Sequence, residues 1–189
     1  MKILSNNKRC ITILDSKNNY IIKHYYSNHS YFTEKEFYEK MNGKPYIPKL
    51  IKVDDMEITI EYLGDNSLDK YLMNNTIPID LAKQFYDIFI DMLNCGFDSP
   101  SEHGFSGKFE HVFINDTIEP FKMGRVKMID FDVMYTILPQ SKDASKEYID
   151  NKFRFLFNKN DSSLDLLRED LLENGVENIK IDDFIKQFK

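Results

Sequence analysis

The chain has 189 residues, of which 42% are hydrophobic and 14% aromatic, enough for a folded protein with a sizeable core. Its formal net charge of −6 excludes a nonspecific grip on nucleic acid, which needs a surplus of lysine and arginine facing phosphates. Two cysteines and the lack of an apolar run of roughly 18 residues lead us to expect a cytoplasmic protein without a disulfide framework, signal peptide or membrane span.

Two β-rich runs near the start of the chain predict a hairpin. Cys10–Leu14 and Tyr20–Tyr26 are rich in isoleucine and tyrosine, and Asp15–Asn19 between them favours a turn. The second run carries Lys23 among apolar and aromatic side chains. Taken alone, a lysine at this place is a solvated strand residue.

The next predicted element is a short helix over Thr33–Met41. Its aromatic side chains are available to pack, and Asn42-Gly43 is typical of a helix end. Thr33 and Glu36 have the spacing of a capping box, in which the glutamate binds the backbone at the helix start.

A strand, a turn and two helices follow in the sequence. Met56–Leu63 alternates as a half-buried strand and continues into Gly64–Leu72, which predicts a strand, a turn and a short helix. Beyond Pro78, apolar residues at helical spacing predict a long amphipathic helix that ends at Cys95-Gly96.

The segment Val126–Asp132 predicts a buried strand with a carboxylate at its end. Asp130 would lie at the strand end, where its carboxylate oxygens could bind a hard cation that bridges two phosphates. The same pattern, a strand that ends in aspartate before a turn, also occurs where no metal is bound.

These elements, in this order, resemble the protein-kinase-like superfamily, in particular RIO-type and aminoglycoside-phosphotransferase-like kinases. Ile129-Asp-Phe-Asp132 is similar to the metal-binding Asp-Phe-Gly segment, and Glu61-Tyr-Leu63 before a glycine is similar to the kinase hinge. The resemblance implies an α+β, two-lobed kinase-like fold. It has a truncated N-lobe sheet in residues 1–63 and a minimal helical C-lobe in residues 64–189, which together form one kinase-like domain.

The same resemblance implies that the chain binds ATP and Mg²⁺. Lys23 takes the place of the lysine that holds the α- and β-phosphates, and Asp130 that of the metal-binding aspartate. Backbone groups of Glu61 and Leu63 would hydrogen-bond the adenine edge.

A glutamate of the first helix is expected to pair with Lys23. Glu36 is our preferred partner because of its order and spacing in the chain. If Glu36 caps the helix instead, Glu39 is the candidate one turn farther on.

The catalytic loop departs from the kinase pattern. His103-Gly104 matches its opening, but counting from His103 puts Phe105 at the place of the base aspartate and Glu110 at that of the metal-binding asparagine. If the chain is instead aligned on the strand Val112–Ile114, Ser106 takes the place of the base aspartate and His111 that of the metal-binding asparagine.

Neither register places a carboxylate at the position of the general base. His103 and Glu110 therefore remain as the catalytic candidates, and Glu110 is also a candidate metal ligand. A second departure is that no glycine precedes Lys23, so a glycine-rich loop over the phosphates is missing.

From these departures we predict a catalytically impaired pseudokinase with a regulatory role, a protein partner and residual nucleotide binding. The alternative is an active, divergent ATP-dependent phosphotransferase that acts on protein or small-molecule hydroxyls. Because fold alone does not establish activity, the sequence leaves open whether the chain is an enzyme.

Overall fold

The computed structural model describes residues 1–75, 78, 80–98, 111–131 and 135–136. Within these ranges the chain is an α+β protein built from a five-stranded antiparallel sheet, three helices and two small two-stranded sheets. The part of the predicted helical C-lobe after Thr136, and the predicted catalytic loop that begins at His103, lie outside the described residues. In the described ranges, no helix has both the length and the hydropathy that crossing a bilayer requires.

The N-terminal sheet has the strand order β1-β2-β3-β5-β4, and neighbouring strands are antiparallel. Its strands are β1 (Lys2–Asn6), β2 (Cys10–Asp15), β3 (Tyr20–Tyr25), β4 (Leu50–Asp54) and β5 (Glu57–Glu61). The predicted hairpin corresponds to β2 and β3, whose register places Thr12 opposite Lys23. At the turn, the Asp15 side chain accepts hydrogen bonds from the backbone of Lys17 and Asn18.

The expectation of a truncated sheet is wrong, because β1 and β4 extend it on both edges. All five residues of β1 are exposed, and β4 has no fully buried residue. Edge strands that are this exposed lack the alternation of buried and exposed residues from which a strand is recognised in sequence.

Helix α1 (Asn28–Met41) begins earlier than Thr33, so the predicted capping box of Thr33 and Glu36 is wrong. Ser27 is the N-cap, and its hydroxyl accepts a hydrogen bond from the backbone N–H of Ser30 at 3.4 Å. The buried face of the helix repeats every three or four residues. It consists of Ser30, Tyr31, Glu34, Phe37, Tyr38 and Met41.

The later elements include the long helix that the sequence predicts. They are α2 (Leu68–Asn74), α3 (Leu81–Asn94), β6 (Phe97–Asp98), β7 (Val112–Ile114), β8 (Val126–Met128) and β9 (Tyr135–Thr136). Gly96 follows α3 with a φ of +83°, a conformation that glycine adopts without strain. Strands β7 and β8 form one antiparallel pair, and β6 and β9 form another.

A buried ion pair joins the start of α3 to the β7–β8 hairpin. The guanidinium of Arg125 binds the carboxylate of Asp80, which is the N-cap residue of α3. Asp80 also accepts a hydrogen bond from the backbone N–H of Phe121 at 2.7 Å. These bonds satisfy a carboxylate that is fully removed from water.

One hydrophobic core extends from the sheet through α1 to α3 and the β7–β8 hairpin. Phe131 stacks on Phe37 of α1 with ring centroids 3.9 Å apart. This contact ties the segment after β8 to the helix of the N-terminal part. The proposed boundary between residues 1–63 and 64–189 stays a prediction.

Candidate functional site

A cleft of about 510 Å³ lies between the five-stranded sheet and the β7–β8 hairpin. Its walls combine apolar side chains with polar and charged ones. Six of the lining residues are Cys10, Ile21, Lys23, Leu63, His111 and Asp130. A concave site in which polar groups converge beside apolar side chains is a common form of small-molecule site.

Lys23 is the central charge of this cleft. Its Nζ lies 2.8 Å from Oε1 and 2.6 Å from Oε2 of Glu34, and both side chains are almost entirely buried. Burial alone would lower the pKa of Lys23, but the attraction of Glu34 and Asp130 outweighs it and raises the pKa above its usual value. Lys23 is therefore a permanently charged group at neutral pH.

The prediction that Glu36 pairs with Lys23 is wrong, because the glutamate that pairs with Lys23 is Glu34. Glu36 lies two residues farther along α1, which turns its side chain by about 200° around the helix axis. There it is half-exposed and binds Lys40 at 2.6 Å. The alternative Glu39 is also directed to the surface, with its carboxylate 3.9 Å from Lys35.

Tyr25 is a third member of the buried cluster and was not predicted from the sequence. Its hydroxyl donates a short hydrogen bond to Oε2 of Glu34. Burial, reinforced by the negative charge of Glu34, raises the pKa of Tyr25 far above its ordinary value, so the phenol keeps its proton. Tyr25 lies two residues after Lys23 and so faces the same side of β3, which is the signal that could have identified it.

Asp130 lies in the cleft beyond the end of β8. Its Oδ1 is 3.2 Å from Nζ of Lys23, and its Oδ2 is 3.6 Å from Nδ1 of His111. Burial would raise the pKa of Asp130, but the positive charge of Lys23, together with the neighbouring His111, outweighs it and holds the pKa below its usual value. The carboxylate is therefore ionised at neutral pH.

The backbone of Asp130 is left-handed, with a φ of +71°. Aspartate tolerates this region better than most residues, although it costs more than an ordinary conformation. Residues held in such a conformation are concentrated at functional sites, where the surrounding structure fixes them. Here Phe131 is buried against Phe37 directly after Asp130, while the N–H of Ile129 donates to the carbonyl of His111 at 3.0 Å directly before it.

His111 immediately precedes β7 and faces Asp130. The structure thus places in the cleft the residue that registration on Val112–Ile114 assigns to the kinase asparagine. The two predicted catalytic candidates, His103 and Glu110, lie outside the described residues. Their roles, including that of Glu110 as a metal ligand, stay predictions.

Glu61 and Leu63 line the cleft where β5 leaves the sheet. The Glu61 carboxylate accepts hydrogen bonds from Nζ of Lys127 at 2.8 Å and from the backbone N–H of Lys49 at 3.1 Å. Although burial opposes it, these bonds lower the pKa of Glu61. The side chain of Glu61 therefore joins β5 to β8, a contact that the prediction of a backbone role did not include.

The charged residues of the cleft could contribute to a metal site without completing one. In the described ranges, no group of three or more histidine, cysteine, aspartate or glutamate side chains is arranged to hold a metal ion. Asp130 and His111 supply one carboxylate and one imidazole close together. A cation at this place would need further ligands, such as the phosphate oxygens of a nucleotide.

Comparisons with known proteins give structural matches but no sequence match. The sequence matches no protein-family model and no curated protein. Among solved structures, one match is a chain in the CAK complex of Chaetomium thermophilum bound to ATP-γ-S, with 16% identity and a TM-score of 0.49. The match covers 72% of this chain and 46% of that chain, so this chain spans less than half the length of the other. Similarity at this level establishes no common function.

Proposed function

We propose that this chain is a kinase-like protein that binds ATP in the cleft between the sheet and the β7–β8 hairpin. The observation that carries the proposal is the arrangement around Lys23, whose Nζ contacts both Glu34 and Asp130. A lysine on the third strand, paired with a glutamate of the following helix and close to an aspartate that holds a metal, is the arrangement with which protein kinases bind ATP phosphates.

The cluster around Lys23 and the end of β5 have different roles in this proposal. Lys23 binds the α- and β-phosphates, and Glu34 and Tyr25 hold its side chain in place. Backbone groups of Glu61 and Leu63 bind the adenine edge. The apolar walls formed by Ile21 and other residues exclude water from the base.

Asp130 fits the role of a metal ligand in this site. One of its oxygens is bound to Lys23, while the other faces the cleft beside His111. A bound divalent ion would neutralise charge on the phosphates, and Asp130 would position it.

We further propose that the chain is a pseudokinase of the cytoplasm with a regulatory, protein-binding role. The support is the catalytic loop, in which neither register provides the aspartate that orients and deprotonates an attacking hydroxyl. The lack of a glycine before Lys23 adds to the impairment, since no glycine-rich backbone can close over the phosphates.

An active phosphotransferase is the second candidate, and the intact cluster of Lys23, Glu34 and Asp130 favours it. General-base catalysis contributes about 10²–10⁴-fold, so a chain that positions ATP without a base could still transfer phosphate slowly. We expect transfer of radiolabelled phosphate near background. Strong transfer by the wild type that Asp130→Asn abolishes would contradict the pseudokinase proposal and support the enzyme.

Nucleotide binding is tested by thermal denaturation in the presence of ATP and Mg²⁺. At a hundredfold excess over Kd, a ligand of the native state adds about 2.7 kcal/mol of stability. For a chain of this length we therefore expect Tm to rise by about 5–10 °C. The shift should be lost in Lys23→Met and kept in Lys52→Met, which removes an exposed lysine of β4. No shift in the wild type at millimolar ATP would contradict the proposal.

A further inference from the structure

We propose that His111 and Asp130, completed by nucleotide phosphates, form a site for a divalent transition-metal ion in preference to Mg²⁺. This inference rests on the proposed binding of ATP and specifies which metal accompanies it. It begins from the contact between Oδ2 of Asp130 and Nδ1 of His111, which are 3.6 Å apart.

The separation of these two atoms is compatible with binding to one ion. Ligand nitrogen and oxygen atoms lie about 2.1 Å from ions such as Zn²⁺, so two ligands of one ion can be at most about 4.2 Å apart. The atoms in the cleft satisfy this limit. Both side chains are only partly exposed and line the same cavity, so an ion–nucleotide complex in the cleft would meet them together.

The backbone holds both ligands in place. The hydrogen bond from the N–H of Ile129 to the carbonyl of His111 joins the residue before Asp130 to His111 itself. Lys23 binds Oδ1 of Asp130 and thereby orients the carboxylate, with Oδ2 on the side of His111. The donor pair is therefore preorganised by contacts that do not depend on a metal.

The chemistry of the pair determines which metal it favours. In the alignment on Val112–Ile114, His111 takes the place of a kinase asparagine, whose amide oxygen suits Mg²⁺. An imidazole nitrogen is a better ligand for transition metals, whose affinity for such sites rises from Mn²⁺ through Co²⁺ to Ni²⁺. Because the described residues offer no third histidine, cysteine, aspartate or glutamate ligand, the ion would be held as its nucleotide complex.

The first test compares the binding of a non-hydrolysable ATP analogue with Co²⁺ and with Mg²⁺. We expect the wild type to bind the Co²⁺ complex roughly tenfold more tightly, the factor that corresponds to about 1.4 kcal/mol. His111→Asn should remove this preference. His29→Asn is the matched control, because His29 is an exposed residue of α1 and should leave the preference unchanged.

The second test is spectroscopic, and its first measurement uses the wild type. Electron spin-echo spectroscopy of the wild type with Mn²⁺ and the analogue should show coupling to an imidazole nitrogen, which His111→Asn abolishes and His29→Asn retains. Bound analogue without this coupling, or an equal metal preference in wild type and His111→Asn, overturns the inference alone. If the wild type binds the analogue neither with a divalent cation nor without one, the proposed function is overturned as well.

Discussion

At the scale of single residues, the site is defined by a lysine that is buried between two carboxylates. Removing Lys23 from water is costly, and the cost is offset only because Glu34 contacts it with both oxygens and Asp130 with one. Tyr25 donates a further hydrogen bond to Glu34. Loss of one partner from such a group costs more than the pair contributes, because it leaves an uncompensated charge in the interior.

Glu34→Gln should therefore destabilise the protein strongly, whereas Glu36→Gln should not. We expect Glu34→Gln to reduce the free energy of unfolding by about 3 kcal/mol, and the exposed Glu36→Gln by less than about 0.5 kcal/mol. The chain has no tryptophan, so denaturant unfolding is followed by far-UV circular dichroism. Equal effects of the two substitutions would contradict the pairing of Lys23 with Glu34.

At the scale of elements, the connection from α1 to β4 is packed against the β7–β8 hairpin. The N–H of Met128 donates to the carbonyl of Tyr46 at 2.8 Å, and the Tyr46 hydroxyl donates to Asp91 of α3 at the same distance. Gly124, with a φ of +94°, approaches Pro45 so closely that a Cβ atom would lie 3.1 Å from the proline side chain. This contact positions α1, and with it Glu34, relative to Asp130.

Gly124→Ala should accordingly be more harmful than Gly43→Ala. Both glycines have positive φ, so alanine is strained at either position, but a Cβ at Gly43 would meet open space. The additional overpacking against Pro45 should cost about 1–3 kcal/mol. Urea denaturation of both variants measures the difference. If Gly43→Ala proves as destabilising as Gly124→Ala, the contact with Pro45 does not constrain the fold.

Local sequence patterns were sufficient for some elements and insufficient for others. The β2–β3 hairpin was predicted from its composition and its turn, and α3 from its helical periodicity. Both Lys23 and Asp130 lie in the cleft where the resemblance placed them. The predicted pairing of Lys23 with Glu36 was wrong because order and spacing in the chain do not determine which face of a helix is buried, and the helix itself starts after Ser27 rather than at Thr33. Contacts between distant residues, such as that of His111 with Asp130, follow from strand pairing and cannot be deduced from local spacing.

At the scale of the whole molecule, the two sides of the cleft are held together by three kinds of contact. The hydrophobic core is continuous from the sheet to α3 and the hairpin. Phe131 stacks on Phe37, and the ion pair of Lys127 with Glu61 connects β8 to β5 beside the cleft. These contacts fix the distance between the residues that would bind the base and those that would bind the phosphates.

The most direct test of nucleotide binding in the cleft is a crystal structure of the protein with a non-hydrolysable ATP analogue and a divalent cation. We expect the adenine edge to hydrogen-bond the backbone of Glu61 and Leu63, and phosphate oxygens to lie within hydrogen-bond distance of Nζ of Lys23, with Asp130 beside the cation. An analogue bound elsewhere on the surface, or a cleft without density for it at saturating concentration, would contradict nucleotide binding at this site.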